Sequence, residues 1–247
     1  MQRKRTLGRL AGLALAFAAV AVGSYLFGLY SYPRALWPAN VLRGLGDSAR
    51  AAGVRDDYGR LVGWPGKIEE ACPAQTERTG VLLAIGQSNV ANHAARRVTT
   101  RHGRKVLSFF AGKCTIAASP LLGATGDGGE FLTMLADRLV EDGVYDTVVI
   151  VSSGIGASPI SRWQAGGDLN AMLAATLRDL AGHYRVTDVV WQQGESDFDR
   201  ATTSQAYAAA FASLVATLRQ GGVEAPIYIA VSTRCGPAWR ADNPVAR

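Results

Sequence analysis

Histidine and cysteine are the scarcest chemistry-bearing residues in this chain, at three each, and His93, His102 and His183 are the only histidines in 247 positions. No pair of His or Cys residues stands at metal-ligand spacing, so no metal site is expected. The densest glycine cluster, Gly123-Ala124-Thr125-Gly126-Asp127-Gly128-Gly129, matches neither a Walker A loop nor Gly-x-Gly-x-x-Gly and lacks a P-loop lysine. A nucleotide or other cofactor is therefore not expected. Also missing is any Lys/Arg stripe with interleaved aromatics. The formal net charge is +6, but Arg3, Lys4, Arg5 and Arg9 hold four of those charges, leaving +2 for the rest. Nucleic acid is not an expected partner. The basic cluster Arg101, His102, Arg104 and Lys105 reads as a solvated loop before a strand.

Charge is absent altogether from Leu10 to Tyr30, about 21 residues, long enough to span a bilayer. The basic flank before it argues for a cytoplasmic N-terminus and an exported remainder. Tyr30, Tyr32 and Trp37 suit an interfacial aromatic belt. Ala19-Val20-Ala21 and Ala21-Val22-Gly23 resemble signal-peptide cleavage sites. The apolar run continues past them through Tyr25-Leu26-Phe27, which favours an uncleaved anchor in the lipid bilayer. The expected location is the bacterial inner membrane with the domain facing the periplasm, or a secreted form if the signal is cleaved.

Residues 31–79 read as a juxtamembrane segment rich in Pro, Gly and Arg, with one short helix around Ala39–Ala52. From residue 80 to 247 strands and helices alternate within one domain. Val81–Ile85, Lys105–Phe110, Thr147–Ser152, Asp188–Gln192 and Pro226–Ser232 read as strands. Between them, Gly129–Glu141 carries Phe131, Leu132, Leu135 and Leu139 at helical spacing. Leu169–His183 and Thr203–Gln220 are further helices, the latter ended by Gly221-Gly222. The pattern predicts an α/β fold, three layers α/β/α around a five-stranded parallel sheet of flavodoxin-like order.

Three blocks carry chemistry. Ile85-Gly86-Gln87-Ser88-Asn89 puts a serine on a tight turn at a strand's carboxyl end, where open α/β sheets keep their ligands. An N-cap role for Ser88 or Asn89 is the plainer reading. Ser153-Gly154-Ile155-Gly156-Ala157-Ser158-Pro159 and Trp191-Gln192-Gln193-Gly194-Glu195-Ser196-Asp197 follow later strands in the same manner. No second glycine follows Ser88, which argues against the Gly-x-Ser-x-Gly elbow of α/β-hydrolases.

Gly86-Gln87-Ser88-Asn89, then Ser158-Pro159-Ile160-Ser161-Arg162-Trp163, then Gln193-Gly194-Glu195, resemble the SGNH-hydrolase superfamily. Within it they look like the sialate O-acetylesterase and acetylxylan-esterase-like branch. The resemblance covers roughly Gly80 to Arg247 and implies a serine esterase. Ser88 would be the nucleophile, with its own N–H, Gly156 and Gln193 as oxyanion donors. Glu195 would orient a histidine, hold the loop or cap a helix, and Asn89 would support the turn. Arg162 and Trp163 would line the acyl or sugar pocket, although Trp163 equally suits the core. With the first and second strands adjacent in a flavodoxin-like sheet, Cys72 and Cys114 would form a disulfide. Cys235, at the other edge, would stay unpaired.

The base is what the sequence withholds. His93 would sit on a helix after Ser88 and point away, His102 lies before the second strand, and His183 precedes the fourth. Related sequences carry Asp-x-x-His after the fifth strand, but Asp242 is followed three residues later by Val245. The expectation is thus a carbohydrate O-acetylesterase, C-terminally truncated and lacking its catalytic histidine as given. Its partner would be an acetylated carbohydrate. The alternative is a non-catalytic glycan-binding or scaffold protein with a degenerate pocket. An SGNH lipase or thioesterase is a third reading, against which Gln193-Gly194-Glu195 speaks.

Overall fold

A computed structural model describes residues 17–30 and 53–231. Residues 17–30 are helical and exposed, and 10–16 of the expected membrane span lie outside the described residues. Among the described residues no helix is long and apolar enough to cross a membrane. The helix expected around Ala39–Ala52, together with Cys235, Asp242 and Val245, also lies outside them.

A compact unit begins at Gly53, so residues 53–79 belong to it. They supply β1 (Val54–Arg55), β2 (Leu61–Gly63) and β3 (Glu69–Glu70). The sequence-defined strands follow as β4 (Thr79–Gly86), β5 (Val106–Phe110), β7 (Thr147–Gly154), β8 (Asp188–Gln192) and β9 (Ile227–Ile229), with an unforeseen β6 (Lys113–Ile116) after β5. Helices α1 (Leu132–Glu141), α2 (Asp168–Ala181), α3 (Glu195–Asp199) and α4 (Ser204–Gln220) complete the unit. The cap of α4 is Thr203, whose hydroxyl accepts the Ala206 N–H at 3.2 Å.

The sheet has seven strands in the order β3-β6-β5-β7-β4-β8-β9. Five of its members, β5, β7, β4, β8 and β9, run parallel, while β6 and β3 add an antiparallel edge. This corrects the flavodoxin-like order, since β7 lies between β5 and β4. Length and composition account for the placement. β7 is eight residues of Val, Ile, Ser, Thr and Gly paired along the whole of β4, and seven of its residues are buried. Such strands belong at the centre of a parallel sheet, covered on both faces. β5 is shorter and pairs with β7 only over Val106–Ser108.

One apolar cluster joins Val81, Leu83, Ile85, Val149 and Trp191 to Leu169, Leu173, Leu177 and Leu214 of α2 and α4. On the other face Leu82, Ala84, Val148 and Ile150 pack on Leu132 and Ala136 of α1. Odd and even positions of β4 thus serve opposite layers, as a pleated strand requires. The α/β/α reading holds.

Cys72 and Cys114 form the expected disulfide. The strand neighbours invoked for it are wrong: β4 and β5 are not adjacent. Instead β3 pairs β6 with Glu70 opposite Cys114, and Cys72 lies two residues beyond Glu70. The bridge therefore fastens the antiparallel edge to the chain that leads into β4. It closes a sequence separation of 42 residues, a stabilisation of about 4 kcal/mol by loop entropy. Cys72→Ser should lower the melting temperature by about 10 °C, as thermal unfolding followed by circular dichroism would show, and reduction of the wild type should match it.

Candidate active site

The carboxyl ends of β4, β7 and β8 meet at one point because glycine stands where side chains would collide. Gly86, at φ +133°, faces the backbone of Gln192 so closely that a Cβ would lie 2.0 Å from its carbonyl oxygen. Gln87 N–H donates to that same carbonyl at 2.9 Å, and Ile155 N–H donates to Gly86 O at 2.8 Å. The chain then makes a single 3-10 turn, Ser88–Val90, with Ser88 half-buried and Asn89 exposed.

Two carboxylates organise the Gln-Gly-Glu block. Glu195 Oε1 accepts from Asn89 Nδ2 at 2.5 Å and from Gln192 Nε2 at 3.0 Å, tying the serine turn to β8. Its other oxygen, Oε2, is buried without a hydrogen-bond partner. Glu195 therefore holds the loop, as one of its expected roles has it, but through side-chain amides rather than backbone N–H groups. Asp197, 1% exposed, is the second hub. Its Oδ2 accepts from Ile160 N–H at 2.7 Å and Gln193 Nε2 at 2.5 Å, and its Oδ1 accepts from Thr202 Oγ1 at 2.8 Å. The Gln87 side chain adds a third tie, accepting the Ser196 N–H at 3.2 Å.

Several expected site residues fall elsewhere. Gln193 is 4% exposed, and its amide donates to Ser158 O and Asp197, so it braces the loops and presents no donor to Ser88. Trp163 is fully buried, edge-on to Trp191 with ring centroids 5.7 Å apart, and its Nε1 donates to Ser158 Oγ. It belongs to the core, not to a pocket wall. Arg162 forms a bidentate pair with Asp168 at the surface, which raises the guanidinium pKa and lowers that of the carboxyl. Gly156 does reach the site edge, but its N–H donates to Thr125 Oγ1 at 2.7 Å.

His93 departs most from expectation. No helix follows Val90; Asn92 bridges to Gly126 and Ala94 to Gly129 instead. The Asn92 side chain clasps Leu121 through both its amide groups, at 2.7 and 2.8 Å, which fixes this course. His93 Nε2 thereby lies 3.1 Å from Thr125 Oγ1 and close over Gly156, at the sheet edge that carries Ser88. Burial lowers its pKa, against the pull of Asp127 and with the push of Arg55. The other two histidines stay away: His102 pairs with Glu141 on α1, and His183 packs on Phe109 of β5. Among the described residues no histidine or carboxylate hydrogen-bonds Ser88 Oγ, and no group of acidic, His or Cys residues could hold a metal ion.

Asp197, Gln87, Asn92 and Thr125 are the structural and site residues that sequence reasoning passed over. Asp197 stood inside a quoted block, four positions after Gln193, the helical spacing that lets two side chains meet. Asn92 and Thr125 gave no such signal.

A family model described as "carbohydrate esterase, sialic acid-specific acetylesterase" matches residues 78–233. No curated protein matches the chain in sequence. Three solved structures resemble it at 18% identity. A protein from Arabidopsis thaliana superposes with a TM-score of 0.51, over 64% of this chain and 76% of its own. NanS superposes at 0.46, over 62% and 67%, and a carbohydrate acetylesterase from Xanthomonas citri at 0.41, over 61% and 40%. The Arabidopsis likeness shows a common fold.

Asp197→Ala would strand the Gln193 amide, the Ile160 N–H and the Thr202 hydroxyl inside the protein. The expected loss is about 3 kcal/mol, measurable by urea denaturation. Asp197→Asn, which keeps an acceptor, should cost less.

Proposed function

The chain belongs to the sialic acid-specific acetylesterase family of carbohydrate esterases, and on that premise we propose that it removes O-acetyl groups from carbohydrate with Ser88 as nucleophile. The observation that carries this reading is the Asn89–Glu195–Gln192 tie. It brings the Gly86-Gln87-Ser88-Asn89 turn and the Gln-Gly-Glu block to one sheet edge, as an esterase built from these blocks requires. Ser88 Oγ attacks the acetyl carbonyl, the sugar hydroxyl leaves, and water then releases acetate from the serine.

Oxyanion donors in this reading are the Ser88 and Gly156 N–H groups. The Thr125 hydroxyl, 2.7 Å from Gly156 N, stands where a substrate oxygen would and gives way to it. Gln193 contributes by bracing Ser158 and Asp197. The base is His93, the one histidine of the three beside Gly156. Its lowered pKa keeps the imidazole neutral, and able to accept a proton, at pH 7.

One observation favours a second reading, a glycan-binding protein without turnover: no base touches Ser88 Oγ among the described residues. Both readings place the domain outside the cytoplasm. The disulfide suits an oxidising compartment, and the basic flank of the apolar N-terminal run suits retention at the inner membrane. Carbonate extraction of membranes from cells making the full chain distinguishes an anchored from a released protein.

Hydrolysis of p-nitrophenyl acetate and of an O-acetylated sugar tests the activity. Ser88→Ala should lower kcat/KM by about 10³-fold or more, and His93→Gln by a comparable factor. Because burial lowers the His93 pKa, the acid limb of the pH profile should lie below 6.5 and the rate should be flat across neutral pH. Turnover indifferent to Ser88→Ala overturns the esterase reading; turnover that needs Ser88 but not His93 overturns the base.

A further inference from the structure

One half-buried titratable group stands outside the esterase chemistry. Lys67 lines a cavity of about 340 Å³ beside the antiparallel edge of the sheet, with Trp64, Glu69, Phe110 and Lys113 among the other walls. Phe110 and Lys113 belong to β5 and β6, and β7 stands between β5 and the β4 that leads to the Ser88 turn. The cavity is therefore a place of its own and no extension of the candidate active site.

Lys67 has no counter-charge there. Its side chain donates to a neutral carbonyl, Ala118 O, and among the described residues no carboxylate lies within ion-pair distance of it. Glu130 attracts it from further off, but that carboxylate already accepts from Ser119 Oγ and from the N–H and hydroxyl of Thr133. Glu69, on the cavity wall, is taken by Lys113 at 3.1 Å. Arg97 opposes the charge; its guanidinium is held by two bonds to Asp127 O and lies 4.8 Å from the centre of the Trp64 ring. Desolvation, with Arg97 adding to it, lowers the Lys67 pKa to about 8 against the pull of Glu130. At pH 8 about half of such side chains are free amines, against roughly one in 250 for an ordinary lysine. A desolvated lysine beside another cation is a nucleophile suited to carbonyl carbon. Trp64 and Phe110 supply aromatic walls, and the volume is at the lower end for ligand cavities, enough for one ring.

We infer that Lys67 is a second nucleophile of this protein, one that captures a small aromatic aldehyde in the cavity as an imine. The Nζ lone pair attacks the carbonyl carbon, and one amine proton passes to the carbonyl oxygen, giving a carbinolamine. The C–O bond then breaks, the hydroxyl leaves with the second amine proton as water, and a C=N bond joins the ligand to Nζ. Amine and aldehyde thus become imine and water, with no change of oxidation state. Protonated, the imine keeps one N–H for Ala118 O, while the ring of the ligand packs on Trp64 and Phe110. None of this uses Ser88, so it stands apart from the esterase reading.

Borohydride trapping on the full chain tests the inference. The protein is equilibrated with benzaldehyde at a series of pH values and reduced with borohydride, which turns any imine into a stable secondary amine. Peptide mass analysis then reads its four lysines, Lys4, Lys67, Lys105 and Lys113, one by one. Lys67 should be labelled at least tenfold more than the exposed Lys105 or Lys113, with half-maximal labelling near pH 8. The preference should persist in Ser88→Ala and vanish in urea. Formaldehyde, which has no ring to place, should show a several-fold smaller preference for Lys67. Trp64→Leu should lower the benzaldehyde labelling several-fold and leave that by formaldehyde unchanged; if this variant does not fold, the comparison of the two aldehydes on the wild type decides the same point. Equal labelling of Lys67, Lys105 and Lys113, an unlabelled Lys67, or a preference that survives urea overturns the nucleophile. An equal preference with both aldehydes overturns the aromatic ligand.

Discussion

The approach of Gly86 to the Gln192 carbonyl is the constraint on which the site depends. Parallel strands β4 and β8 can end together only if the residue between them has no side chain, because any Cβ there meets backbone that cannot move. The φ of +133° would strain any other residue as well. With that contact made, Ser88 emerges beside the Gln-Gly-Glu loop, and the hydrogen bonds of Asn89 and Gln87 to that loop become possible. Without it, two well-formed strands would carry their functional residues to different places.

Around this junction, charge is used sparingly and mostly for architecture. Asp197 and Glu195 sit on the first turn of α3, two residues apart, and face different tasks. Asp197 is bonded at both oxygens, by Ile160, Gln193 and Thr202, and ties the segment after β7 to the one after β8. Glu195 fills one oxygen with Asn89 and Gln192 and keeps the other bare. A buried carboxylate bonded at both oxygens rigidifies its surroundings. A bare buried carboxylate oxygen beside a serine turn instead carries an unmet desolvation cost.

Thr125 links these features. Its hydroxyl accepts from Gly156 N–H and lies within hydrogen-bond distance of His93. A substrate oxygen that displaced this hydroxyl would engage the Gly156 N–H while releasing the imidazole from its neighbour. In the proposed esterase reading, binding and proton transfer would then be coupled through one side chain.

Much of the fold was legible in the residues alone. Apolar runs marked all five parallel strands, and Leu132, Leu135 and Leu139 marked α1, because a period of two or of 3.6 is fixed by backbone geometry whatever surrounds it. The three motif blocks were legible for a similar reason: Gly86 and Ser88, like Gln193 and Glu195, stand two positions apart on short turns, so their spacing survives in one dimension. Strand order was not, since it is set by which buried strand competes best for the centre, and no local pattern records that competition. Nor were the β6 edge that carries Cys114, the partners that turned Gln193 and Trp163 inward, or the position of His93. Each of these depends on contacts between residues far apart in the chain: Glu70 with Cys114, Gln193 with Ser158, Asn92 with Leu121. The sequence by itself determined the five parallel strands, three of the four helices of the unit and the three motif blocks. The tertiary structure alone decided which of those residues face one another, because hydrogen-bond donors and buried charges take whatever partner the packing of distant segments supplies.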